Sequence, residues 1–139
     1  MTRDDVLSVL LKIPGLTNIG VVTPAYFDSP KYGATAGERL AAFDEARRQL
    51  ADAPLEKFDD ICAWFADKAK TKQANRKHNT LELRKIVEQF TGMPLSEGEF
   101  LVAAIHLGFF YRIEGEGISE PMRVFLGISN QSLKADSAA

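Results

Sequence analysis

One cysteine, two histidines and one tryptophan occur in 139 residues, and each shortage closes off a class of chemistry. A single thiol, Cys62, can form neither an intramolecular disulfide nor a multi-thiolate metal site. Its apolar flanks mark it as a buried structural cysteine rather than a reactive one. No run approaches the ~18 apolar residues that a membrane span needs. The opening Met-Thr-Arg-Asp-Asp places acids where a secretory signal carries basic residues, and the apolar stretch behind it stops at Pro14-Gly15. A cytosolic chain with no membrane partner is therefore expected. Also missing are a Gly-Lys-Ser/Thr phosphate loop, a dinucleotide fingerprint, a Gly-x-Ser-x-Gly elbow and a Cys-His arrangement. His78 reads as a surface side chain and His106 as a core or core-edge imidazole, neither within a helical metal-ligand set. Asp59 and Asp60, like Glu97 and Glu99, point apart on a helix and make no catalytic dyad. No metal, no cofactor and no catalytic residue are expected, and the chain reads as a non-enzyme.

What is present is ordinary globular composition, 45% hydrophobic and 26% charged, at a length that suits one domain. That domain is expected over residues 1–128, followed by a loose tail over 129–139. The net charge of −2 hides a polarity. Residues 68–85 hold seven basic side chains against the single acid Glu82, whereas residues 86–120 hold six acids against one arginine. A basic segment is followed at once by an acidic one.

The pattern predicts an α+β fold, mostly helical, with about five helices and a C-terminal β-hairpin. Thr2 with Asp5, Thr35 with Glu38, Asn79 with Glu82 and Ser96 with Glu99 are capping pairs, each opening an apolar run of helical spacing. A helix after Pro54 is expected to bury Phe58, Ile61, Cys62 and Phe65 and to run to about residue 71; residues 71–78 lack apolar periodicity and read as a connection. Leu83, Ile86, Val87 and Phe90 form the buried face of the fourth helix, stopped by Gly92 and Pro94. The fifth, residues 97–107, is apolar nearly all round and should be central to the core, with Leu95 stapled to Phe100. Residues 18–23 are β-branched enough for a strand. Residues 109–113 and 122–128 are β-rich runs joined by a Gly- and Pro-containing loop. Two helices followed by a β-ribbon is the order of a winged helix-turn-helix, a likeness of topology only.

Residues 79–109 also carry Thr80-Leu81-x-Leu83-Arg84-Lys85-x-x-Glu88, then Leu95-Ser96-x-Gly98-x-Phe100-Leu101-x-Ala103-Ala104 and Gly108-Phe109. This resembles a motif of small proteins encoded by bacteria, phages and mobile elements, which have Ser-Tyr-x-Leu-Lys-His-x-x-Glu in the first half. Leu81 stands where the aromatic residue is usual and Lys85 where histidine is usual. The resemblance covers roughly 30 residues and implies a kind of gene, without a mechanism. It favours nucleic-acid binding or action on host proteins.

Two functions follow as expectations. The first is an accessory protein whose charge-polarised surfaces bind another protein or a second copy of itself, with Tyr26, Phe27 and Tyr32 of an aromatic loop as contact residues. The second is nucleic-acid binding through Lys68, Lys70, Lys72, Arg76, Lys77, Arg84 and Lys85 on phosphates. The apolar fifth helix, opening with Glu97 and Glu99, is unsuited to reading bases.

Overall fold

The computed structural model describes residues 1–137. Helix α1 (Arg3–Lys12) begins in a capping box: Thr2 Oγ1 accepts from the Asp5 N–H, and the Asp5 carboxylate accepts from the Thr2 N–H. A tight antiparallel hairpin follows, β1 (Leu16–Thr17) against β2 (Gly20–Val21). Only residues 20–21 of the 18–23 stretch are strand, because Asn18 and Ile19 are spent on the turn. Two short 3-10 turns, Pro24–Phe27 and Pro30–Tyr32, lead to α2 (Ala36–Ala51), capped by Thr35. Helix α3 (Leu55–Phe65) ends short of residue 71. Beyond it the chain bends so that the Lys68 N–H reaches the Phe65 carbonyl, and it then runs to the C-terminal hairpin.

Helix α4 (Thr80–Thr91) is capped by Asn79 and closed by Gly92 in the left-handed conformation, φ 73°, where glycine has no Cβ to clash. Helix α5 (Glu97–His106) opens in the Ser96/Glu99 capping box. Then come β3 (Tyr111–Glu114), β4 (Arg123–Leu126) and α6 (Asn130–Ser137). The fold is thus α+β, mostly helical, with a hairpin near the C-terminus. The loose tail expected from residue 129 is corrected over 130–137: helix α6 forms there because Leu133 buries its side chain in the core. Residues 138–139 of that expected tail lie outside the described residues.

Helix α5 is the axis of the molecule. Every residue from Glu97 to Ile105 is buried, against α1, α3, α4 and β2. Phe100 stacks on Phe65 at 5.4 Å, with Trp64 and Phe109 completing an aromatic cluster. Removing such a ring leaves a cavity as well as lost transfer energy, about 3–5 kcal/mol. Gly98 lets the first turn of α5 lie under the β1–β2 turn: a Cβ there would sit 2.1 Å from the Thr17 carbonyl oxygen. Two expectations fail at helix ends. Phe90, in the last turn of α4, is 61% exposed, and His106, at the end of α5, faces solvent. Among the described residues no helix is long and apolar enough to cross a membrane.

Candidate interaction face on the β3–β4 hairpin

Strand alternation sorts the hairpin into two faces. In the register Tyr111 lies opposite Leu126, Arg112 opposite Phe125, Ile113 opposite Val124, and Glu114 opposite Arg123. Val124 and Leu126 are buried, and Tyr111 and Ile113 pack beside them against the core. Arg112, Glu114, Arg123 and Phe125 therefore share the outer face, together with Phe110, which is 42% exposed.

Residues 68–78 form a strap that crosses this hairpin. The Thr71 N–H donates to the Gly127 carbonyl at 2.8 Å, the Asn75 N–H to Leu126 at 2.7 Å, and Lys70 bridges Ile128 in antiparallel fashion. The buried Asn75 side chain adds donors to the Ile128 carbonyl at 3.0 Å and Asn130 Oδ1 at 2.7 Å. Gly127 is what admits the strap, since a Cβ there would lie 2.4 Å from the Thr71 oxygen. The strap delivers Arg76 onto the outer face, where its guanidinium lies 5.1 Å from the Phe125 ring centre and makes a paired contact with the Glu114 carboxylate. Hydrogen bonding from Arg76, with the charges of Arg112 and Arg123 near by, holds Glu114 below the usual carboxylate range. Lys72, Arg76, Phe110 and Arg112 line one open hollow. Among the described residues, the side chains of Lys72, Arg112 and Arg123 make no ion pair.

The seven basic residues singled out from the sequence do not form one face. Lys68 leaves the set: its side chain is 1% exposed, with Nζ 4.5 Å over the Trp64 ring and 2.6 Å from Asp67 Oδ1. Arg84 leaves it as well. Its guanidinium bonds Glu88 Oε1 at 2.9 Å, Glu97 Oε2 at 3.2 Å and the Leu95 carbonyl at 3.0 Å. Lys70 Nζ is held by the Leu107 carbonyl at 2.5 Å. Lys72, Arg76 and Lys77 stay exposed on the strap, and Lys85 is exposed on α4. The aromatic loop is likewise turned inward: Phe27 is 2% exposed, packed edge-on against Tyr32 and Phe43, with Tyr26 and Tyr32 half-buried around it. Phe27 is therefore withdrawn as a contact residue. The sequence reading missed Arg112, Arg123, Phe110 and Phe125, although the alternation Phe110, Arg112, Glu114 and Arg123, Phe125 carries the signal. It also missed His78 Nδ1 against Glu82 Oε2 at 3.0 Å, an i, i+4 pairing visible in the spacing.

The polar residues of the 79–109 motif have one shared place. Thr80 donates its hydroxyl to Glu97, Arg84 spans Glu88 and Glu97, and Glu88 Oε2 accepts from the Leu95 N–H at 3.0 Å. They latch α4 to the start of α5. Burial outweighs Thr80 and Arg84 and pushes the Glu97 carboxyl up from its ordinary value. Each oxygen of Glu97 is already occupied by a protein donor, so this cluster is an internal joint. Cys62, expected to be buried, is half-buried at the edge of the core, and its partial burial raises the thiol. No group of three or more His, Cys, Asp and Glu gathers as a metal-ligand set among the described residues. Helix α5 occupies the place of a recognition helix in the winged-helix order, and its burial keeps it out of any groove. No protein-family model, curated protein or solved structure matches this chain.

Proposed function

We propose that this chain is a non-enzymatic interaction protein of the cytosol, holding an acidic segment of another protein against the outer face of β3–β4. The observation that carries this reading is the convergence of Lys72, Arg76, Arg112 and Arg123 with Phe110 and Phe125 on one surface, with Glu114 among them and Glu116 and Glu120 confined to the adjoining loop hollow beside Arg123. Arginine and aromatic side chains at a solvent-facing centre are the residues that anchor protein interfaces. Interleaving of the remaining basic residues with acids supports a protein partner over a phosphate backbone. Arg84 with Glu88 and Glu97, and buried Lys68 beside Asp67, spend their charge internally. The resemblance over residues 79–109 is taken as a shared way of packing two helices, because its polar residues hold α4 to α5.

The test is retention of fluorescent poly-glutamate across a salt series. Wild-type protein should bind at low salt, Arg112→Glu with Arg123→Glu should abolish binding, and Lys85→Glu on α4 should leave it unchanged. Equal binding by all three proteins would refute the reading.

A second reading, single-stranded nucleic acid, has one observation in its favour: the hollow of Lys72, Arg76, Phe110 and Arg112 sets cations beside an exposed ring. In that case random oligonucleotides bind with a steep salt dependence while poly-glutamate does not.

A further inference from the structure

The hairpin has two edges, and the strap bonds to only one of them. Because the Gly127 N–H donates to the Phe110 carbonyl at 2.7 Å, the backbone groups of Phe110, Arg112 and Glu114 point toward β4. By alternation, the N–H and C=O groups of Tyr111 and Ile113 point the other way. Along the far side of β4 the strap takes up the outward Leu126 carbonyl through the Asn75 N–H and, where the strand ends, the Gly127 carbonyl through the Thr71 N–H. Along β3 no backbone partner for Tyr111 or Ile113 occurs among the described residues. Two donors and two acceptors are thus presented in the spacing of a strand, beside the cationic hollow.

We infer that the open edge of β3 takes up an extended segment of the partner as a third antiparallel strand, with acidic and apolar side chains alternating along it. The inference rests on the proposed function and specifies its geometry. A strand added there places the residue opposite Arg112 on the outer face, beside Arg112 and the Lys72 side of the hollow, where a carboxylate finds two cations. Its neighbours, opposite Tyr111 and Ile113, fall on the core side next to half-buried rings and methyls, where apolar side chains fit. Those same neighbours exchange N–H and C=O bonds with Tyr111 and Ile113, as the alternation of an antiparallel pair requires. Strand addition of this kind takes its affinity from main-chain bonds and its selectivity from every second side chain.

The probe is a labelled peptide in which Glu and Val alternate, set against one of identical composition with the glutamates in a block, read by fluorescence anisotropy on the full chain. The alternating peptide should bind about tenfold tighter or more. N-methylation of its valine amides, which face β3, should abolish that advantage, whereas N-methylation of its glutamate amides, which face solvent, should preserve it. These arms leave the protein untouched, so they do not depend on any variant folding. Ile113→Pro should lose the advantage as well, with Ile113→Val keeping it.

If both peptides bind equally and both need Arg112 and Arg123, the charged face stands and the added strand falls. If neither binds at low salt, both readings fall. A dimer in sedimentation that Ile113→Pro converts to monomer would assign the edge to a second copy of this chain and overturn the peptide proposal.

Discussion

Along β4, the hairpin meets a strap that takes up the carbonyls of Leu126 and Gly127, fills the space above Gly127 and sends Asn75 into a buried polar joint. Along β3, on the other side of the same two-stranded sheet, the outward N–H and C=O groups of Tyr111 and Ile113 meet no hydrogen-bond partner among the described residues. The difference shows how the basic segment is used. Its backbone closes one edge, and its side chains, with those of Arg112 and Arg123, charge the face that borders the other. An edge left open beside a charged face can recruit a strand selectively, because a wrong pairing leaves charges unmatched.

Changes at the closed edge should cost far more than changes at the open one. Gly127→Val drives a side chain into the Thr71 carbonyl and Phe110, and should lower stability by about 3 kcal/mol in a urea titration, with the strap amides losing hydrogen-exchange protection. Thr71→Pro removes the N–H that binds Gly127 and should cost about 1–3 kcal/mol by the same titration. Ile113→Pro, at a position whose N–H has no partner among the described residues, should cost about 1 kcal/mol or less, mostly through its trimmed side chain. Equal losses for the two proline variants would erase the distinction between the edges.

A smaller effect separates the carboxylates of the two sites. Glu97 has its folded pKa raised by burial, so the fold binds its proton more readily than the unfolded chain does. That contribution is fully present below the ordinary value near 4.5 and is lost as pH rises through the folded value. Glu114 runs the opposite way: its folded pKa is depressed by Arg76, so its contribution is present above the ordinary value and lost as pH falls through the folded one. Melting temperature followed from pH 7 toward acid should gain less in Glu97→Gln than in wild type. Glu114→Gln, exposed and salt-screened, should change the profile little.

The helices were legible because their signals are local. Thr2, Thr35, Asn79 and Ser96 each cap a helix within reach of their own side chains, and Gly92 ends α4 through its own φ angle. The unbroken apolar run of α5 likewise announced a helix with no solvent face. The site was poorly legible because it joins residues far apart in sequence. Nothing local to Lys68 shows that its amine will lie on Trp64, and nothing local to Arg84 shows that Glu97 will be its partner across a turn. Arg112 and Arg123 looked minor beside Glu114, Glu116 and Glu120, because a count of charges along the chain averages over two faces that a strand keeps apart. Residues 129–137 had one buried leucine to argue for a helix, too little periodicity to outweigh a position near the terminus.

The strap also sets a clock. Thr80 and Glu97 in the α4–α5 latch are 17 residues apart, whereas Asn75 reaches Ile128 across 53. Chain closure over the longer span costs more entropy, so the latch is expected to form ahead of the strap. Weakening the strap should then shorten the lifetime of the native state while leaving the folding rate nearly unchanged, as interactions formed after the transition state do.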